Sequence, residues 1–149
     1  MKKILFVCTG NTCRSPVAEI WANAVFKQQG IELLAESCGV FAASGSPASA
    51  NSINATMELL NLDLAEHAAR AKTSQMVKEA TLIVCMTASH KHHILSECED
   101  CKDKIFTLRE LAGEKSDIAD PFGGDIDTYK ICINQIKRYI NKIDWGKYL

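Results

Sequence analysis

Lys3-Ile4-Leu5-Phe6-Val7-Cys8-Thr9-Gly10-Asn11-Thr12-Cys13-Arg14-Ser15-Pro16 is the stretch on which the fold turns. Lys3–Val7, apolar from Ile4 onward, has the pattern of a strand buried on both faces. Pro16 suits the first turn of a helix, where its missing N–H costs nothing. Val17, Ile20, Trp21, Ala24 and Val25 then recur at helical spacing, and Gly30 ends the helix. Residues 8–15 form the turn between strand and helix.

The rest of the chain repeats that alternation. A second strand is expected at Leu33–Ser37. A helix follows over Ser49–Leu60, with Ala50, Ile53, Met57 and Leu60 on one face. Next come a short helical piece at Ser74–Ala80, a third buried strand at Leu82–Met86, a helix at Ser89–Glu97 and a short fourth strand at Ile105–Thr107. A loop runs through Asp117–Gly124. The last helix begins near Asp127, which suits its N-cap, and carries an apolar stripe of Ile126, Tyr129, Ile133, Ile136, Ile140 and Ile143. Strands alternating with helices imply a parallel sheet with right-handed crossovers, an α/β fold. Such sheets hold ligands beyond the carboxyl ends of their strands, which is where the turn after Cys8 falls.

Composition bounds the function. The 149 residues suit one domain, and no repeat, low-complexity tract or linker divides them, so 1–149 reads as a single domain. With 17 basic and 18 acidic residues, the net charge of −1 offers no footprint for nucleic acid. No apolar stretch approaches the roughly 20 residues of a membrane span. The N-terminal apolar run is shorter than the roughly 7–15 residues of a secretory core segment, which points to the cytoplasm. Seven cysteines, an odd number, argue against a disulfide framework. Reduced thiols are expected, with Cys85 and Cys132 in the core.

The turn itself carries chemistry. A strand-to-helix turn aims backbone N–H groups at one point, and with the helix dipole they form an anion site. Gly10 is expected to take positive φ, and Asn11 tolerates the left-handed region. The Arg14 guanidinium can bind two phosphate oxygens at once. The field that binds phosphate also stabilises a Cys8 thiolate. Ser15 can hold that thiolate by a hydrogen bond and help it leave later. Together these give a nucleophile activated without a histidine base. A nucleotide-binding loop is excluded, because no lysine stands between Lys3 and Lys27.

Val7-Cys8-Thr9-Gly10-Asn11-Thr12-Cys13-Arg14-Ser15-Pro16, with Ala18-Glu19, resembles the signature of low-molecular-weight protein tyrosine phosphatases. Ser37-Cys38-Gly39-Val40 resembles that family's Ser-Ala-Gly segment, and Asp120-Pro121-Phe122-Gly123-Gly124 its general-acid loop. The resemblance spans nearly the whole chain. It implies a doubly wound three-layer α/β sandwich with a four-stranded parallel sheet. It also implies Asp120 as the acid that protonates the leaving group and then activates water, a double duty one carboxyl can perform. Cys8, Arg14 and Asp120 are the expected catalytic residues. Thr9, Gly10, Asn11, Thr12, Cys13, Ser15 and Phe122 are expected to bind the substrate. Neither cofactor nor metal is expected. Phosphorylated proteins are the expected partners of a monomeric enzyme, with no role for nucleic acid or membrane.

Two positions bear on the substrate. Tyrosine-directed members commonly have Ile at Thr12 and a second aromatic at Gly123. Thr12, together with Asp-Pro-Phe-Gly-Gly-x-Ile-Asp-x-Tyr-Lys, resembles the protein-arginine phosphatase branch. There Asp120 would contact the guanidinium and protonate the leaving nitrogen, and Phe122 would form a pocket wall. Phosphotyrosine is the alternative substrate. Thioredoxin-coupled arsenate reductases share the loop, but the relay from Cys85 meets His92 where they have cysteine, and Pro16 stands where they have Gln. A non-catalytic phosphopeptide module would lack the nucleophile or the acid. Cys13 is a candidate disulfide partner for Cys8 under oxidant. Cys98-Glu99-Asp100-Cys101, near His90, His92 and His93, can be read as a zinc site or, as expected here, as solvated loop thiols. Trp145 and Tyr148 are open between packing and contact roles.

Overall fold

The structure, a computed structural model, describes residues 1–149. Four parallel strands, β1 (Lys2–Cys8), β2 (Leu33–Gly39), β3 (Leu82–Cys85) and β4 (Ile105–Thr107), form a sheet in the order β2-β1-β3-β4. The apolar run Ile4–Val7 takes the centre because it is buried on both faces. Six α-helices cover the sheet: α1 (Ser15–Gln29), α2 (Ala50–Leu60), α3 (Ser74–Glu79), α4 (Ala88–Glu97), α5 (Leu108–Ala112) and α6 (Ile126–Lys142). Period-2 alternation along β1 sends Ile4, Phe6 and Cys8 to the face packed by α1 and α6, and Leu5 and Val7 to the face holding Val77 of α3 and Ile94 of α4. This is the expected three-layer, doubly wound arrangement.

The apolar stripe of α6 packs as its spacing predicts, with Tyr129, Ile133, Ile136 and Ile140 buried. Its N-cap is Asp125, not Asp127: Asp125 accepts from the Thr128 amide and hydroxyl, each at 2.9 Å. Trp145 belongs to the core. It is 1% exposed, edge-on to Phe26 at 5.3 Å between ring centroids, and its indole N–H donates to the Ile140 carbonyl.

Two further expectations change, and one helix is new. The buried face of α2 is Ser52, Ala55, Thr56 and Leu60, while Met57 is exposed and Ala50 faces solvent. The reason is what lies beneath: Ser52 donates to the Cys13 carbonyl at 3.1 Å, so this face packs small and polar groups against the loop after β1. α5 was not foreseen; a reciprocal Thr107–Glu110 capping box starts it and Gly113 ends it within two turns. Cys98 and Cys101 are not free loop thiols but a disulfide. The end of α4 runs into a 3-10 turn, Glu99–Cys101, which brings their Cα atoms to 5.6 Å, within disulfide reach. Cys101 is buried and Cys98 half-buried. No helix is long and apolar enough to cross a membrane.

Candidate active site

The turn between β1 and α1 is built on Asn11. It has the loop's positive φ, 57°; Gly10, expected to share it, does not. The Asn11 side chain is wholly buried and fully used. Its amide donates to Ser15 Oγ at 2.7 Å and to Ser37 Oγ at 2.9 Å, and its oxygen accepts from the Arg70 amide at 2.9 Å. The Asn11 carbonyl contacts His67 Nε2 at 2.7 Å, and Ser37 donates onward to Glu19 at 2.6 Å. Burial raises the Glu19 pKa, opposed by the bond from Ser37. β2 supports the loop from below and must be bare at Gly39: a Cβ there would lie 2.4 Å from the Thr9 carbonyl oxygen.

Cys8 ends β1 at 2% exposure, its sulfur 2.8 Å from Ser15 Oγ. Arg14 is 4% exposed. One terminal nitrogen donates to the Ile118 carbonyl at 2.9 Å, and the other lies 3.4 Å from Thr9 Oγ1 and 3.8 Å from Asp120 Oδ2. Its Nε is buried without a hydrogen-bond partner. Buried donors are ordinarily satisfied, so an unpaired guanidinium N–H at a helix N-terminus is a ready contact for an oxyanion.

Asp120 comes from the far end of the chain, 112 positions after Cys8 in sequence. Its Oδ1 accepts from the Phe122 amide at 3.1 Å, a local turn that Pro121 stiffens. Gly123, at φ 82°, and Gly124, whose Cβ would meet Thr128 at 2.8 Å, let the loop fold back onto the start of α6. Cys8, Thr9, Gly10, Thr12, Cys13, Arg14, Asp120 and Phe122 enclose one cavity of about 240 Å³. Of the ten expected site residues, Asn11 and Ser15 are the exceptions: both are buried behind the loop, and their side chains brace it. Phe122 is 78% exposed at the rim.

Cys13 makes long contacts of 3.6 Å with Tyr129 and Ser49 hydroxyls. The remaining free thiols are shut in the core. Burial pushes Cys38 and Cys132 up to about 12 and Cys85 higher still, which suits packing rather than thiolate chemistry. Nor do the histidines of α4 converge with the Cys98–Cys101 pair, since His90 turns inward to Thr9 and Thr87 while His93 pairs with Glu97. Sequence reasoning gave no bracing role to Ser37, Glu19, His67 or His90, although Glu19 and Ser37 stand in the motif stretches quoted above. Each lies on a different element, and no spacing links them.

This geometry has known counterparts. The family model for low molecular weight phosphotyrosine protein phosphatase matches residues 3–144. The protein-arginine-phosphatase of Geobacillus stearothermophilus is 41% identical, over 95% of this chain and 93% of that protein. The low molecular weight protein-tyrosine-phosphatase PtpB of Staphylococcus haemolyticus is 38% identical over 95% and 96%. The crystal structure of a low molecular weight protein tyrosine phosphatase from T. tengcongensis superposes with a TM-score of 0.91, at 38% identity, over 95% of this chain and 97% of that one. The chain belongs to the low molecular weight phosphotyrosine protein phosphatase family.

Proposed function

We propose that this protein removes phosphoryl groups from phosphorylated arginine side chains of proteins, through a phosphocysteine intermediate. The reading takes 1–149 as one phosphatase domain, acting as a cytoplasmic monomer. Cys8 attacks phosphorus in line, forming the S–P bond as the P–N bond breaks, and Asp120 gives its proton to the leaving nitrogen. Arg14 and the loop amides hold the equatorial oxygens, where transition-state charge collects. Water then attacks the phosphocysteine and gives a proton to Asp120; the S–P bond breaks, releasing phosphate and the thiolate. Neither step calls for a metal.

The observation that carries the choice of substrate is Thr12. It lines the cavity together with Asp120 and Phe122, and a hydroxyl beside a carboxylate suits a guanidinium better than a phenyl ring. Relatives named protein-arginine-phosphatase, at 36% and 41% identity, support it. A tyrosine-directed reading draws on the 38% identical PtpB and on the exposed Phe122 ring, which offers a face to a phenyl group. Turnover of matched phosphoarginine and phosphotyrosine peptides decides between them. Faster release of phosphate from phosphoarginine is expected, and Cys8→Ser should abolish both activities. A clear preference for phosphotyrosine would overturn the arginine assignment, and activity in Cys8→Ser would overturn the covalent mechanism.

A further inference from the structure

His90 is 5% exposed in the first turn of α4, and both of its ring nitrogens are engaged. Nδ1 lies 3.0 Å from the hydroxyl of Thr87, the N-cap of the same helix, which also accepts the His90 backbone N–H at 3.3 Å. Nε2 reaches across to the loop after β1 and lies 2.8 Å from Thr9 Oγ1. That same Thr9 oxygen faces an Arg14 terminal nitrogen at 3.4 Å, and Thr9 lines the cavity over Cys8. An unbroken chain, Thr87–His90–Thr9–Arg14, therefore runs from the helix after β3 into the cradle after β1.

The direction of the hydrogen bonds matters. Burial first, and then the neighbouring Arg14, lower the His90 pKa to about 4, so the ring is neutral near pH 7 with one donor and one acceptor nitrogen. In one tautomer Thr87 donates to Nδ1 and Nε2–H donates to Thr9. The Thr9 oxygen then accepts from both His90 and Arg14, which leaves its own hydrogen for the cavity. In the other tautomer the Thr9 hydrogen is spent on Nε2 and only lone pairs face the site. An oxyanion in the cavity favours the first, because that tautomer adds a donor where negative charge gathers.

We propose that His90 is a positioning residue of this phosphatase: acting through Thr9, it steadies the terminal nitrogen of Arg14 and turns the Thr9 hydroxyl toward the bound phosphoryl group. The proposal rests on reading the 8–15 loop as the phosphoryl cradle. Nothing about it depends on whether arginine or tyrosine carries the phosphate.

Conservative variants separate this role from mere packing. The amide nitrogen of Gln reaches the place of Nε2, and that of Asn the place of Nδ1. His90→Gln thus keeps the Thr9 contact, while His90→Asn keeps only the one to Thr87. With a small aryl phosphate, His90→Gln should stay within about threefold of wild type in kcat, while His90→Asn and Thr9→Val each lose about 10- to 100-fold, the cost of one hydrogen bond to a charged group. KM should move less than kcat, since the contact serves charge that builds in the transition state. The double variant His90→Asn/Thr9→Val should be no worse than the poorer single, because the two act as one unit. Tungstate binding measured by calorimetry reads the same coupling without turnover and from folded protein alone. Multiplying single effects, or a His90→Gln as poor as His90→Asn, would overturn the positioning role. Tungstate binding with the expected coupling in a protein that hydrolyses neither aryl phosphate nor phosphoarginine would instead overturn the phosphatase reading.

Discussion

Ser15 Oγ lies 2.8 Å from Cys8 Sγ while accepting the Asn11 side-chain amide at 2.7 Å. With a lone pair occupied by Asn11, the Ser15 hydrogen is free to point at the sulfur; the competing Cys38 carbonyl is farther, at 3.4 Å. When Cys8 is a thiolate it has no hydrogen to give, and Ser15 is then the donor. A donor to sulfur stabilises a thiolate both as nucleophile and as leaving group.

Ser15→Ala should accordingly lower steady-state turnover by about 10- to 100-fold, the range for a hydrogen bond to a charged group. Breakdown, in which the Cys8 thiolate must leave, should slow more than formation, so phosphocysteine should accumulate. Rapid-quench mass spectrometry would see it as a phosphorylated Cys8 peptide. Unchanged turnover in Ser15→Ala would refute this assignment.

Asp120 approaches Arg14 only to 3.8 Å and is about half exposed. At that distance, with the carboxylate half in solvent, the pair contributes roughly 0–1 kcal/mol to stability. Activity and stability should therefore separate at this position. Asp120→Asn is expected to melt within a few degrees of wild type yet lose about 10²- to 10⁴-fold in kcat, the usual share of a general acid. Calorimetry alongside steady-state kinetics checks both halves. A large fall in melting temperature would mean that Asp120 holds the fold instead.

Thr12 presents a half-buried hydroxyl in the cavity lining, near Cys13 Sγ at 3.7 Å. Thr12→Ile replaces that polar contact by a hydrocarbon suited to a phenyl ring. The ratio of kcat/KM for phosphoarginine over phosphotyrosine peptides should fall about 10-fold or more, since pocket contacts discriminate by about 1–3 kcal/mol. Proportional loss of both activities would remove Thr12 as the selector.

How far the sequence could be read depended on distance along the chain. Lys3 to Pro16 announced strand, turn and helix because the whole device is local: an apolar run, a loop and a proline. The α6 stripe was equally plain, since one periodicity met one apolar face. The α2 face misled because it packs on the polar back of the 8–15 loop, where Ser52 and Thr56 are buried and Met57 is not. Asn11 appeared as a residue tolerant of positive φ; that its side chain also ties Ser15, Ser37 and Arg70 together depends on β2 and on the segment after α2 coming beneath the loop. His90 was hidden for the same reason: its partner Thr9 is 81 residues away. Cys98-Glu99-Asp100-Cys101 was legible as a motif, but whether it held metal, stood free or closed on itself was decided by the turn that ends α4.

That disulfide closes a very short loop, with a sequence separation of 3. Loop-closure entropy for so small a ring amounts to about 2 kcal/mol. Cys98→Ser/Cys101→Ser should thus unfold in urea with a midpoint only modestly below wild type and with turnover little changed, since neither cysteine lines the cavity. Adding dithiothreitol should lower the wild-type midpoint to that of the double variant and leave the variant alone. Equal midpoints with and without reductant would show that the bridge contributes nothing to stability.

His90 sets a slope in the stability curve at mildly acid pH. Its ordinary value of 6.5 in the unfolded chain falls to about 4 in the fold, through burial first and Arg14 second, with Asp117 and Asp120 pulling upward and His93 downward. Between those values the unfolded chain binds a proton that the folded chain refuses, so stability is retained above about pH 6.5 and lost progressively as pH falls toward 4. Glu19 acts oppositely: burial raises its pKa, so the folded chain keeps its proton longer and that contribution fades as pH rises past its folded value. Both wild type and His90→Gln carry Glu19, and the difference between their curves isolates the histidine. Urea unfolding at pH 7.5, 6, 5 and 4 should show wild type losing stability relative to His90→Gln as the medium acidifies. Parallel curves across that window would mean that His90 is as easily protonated in the folded protein as in the unfolded chain.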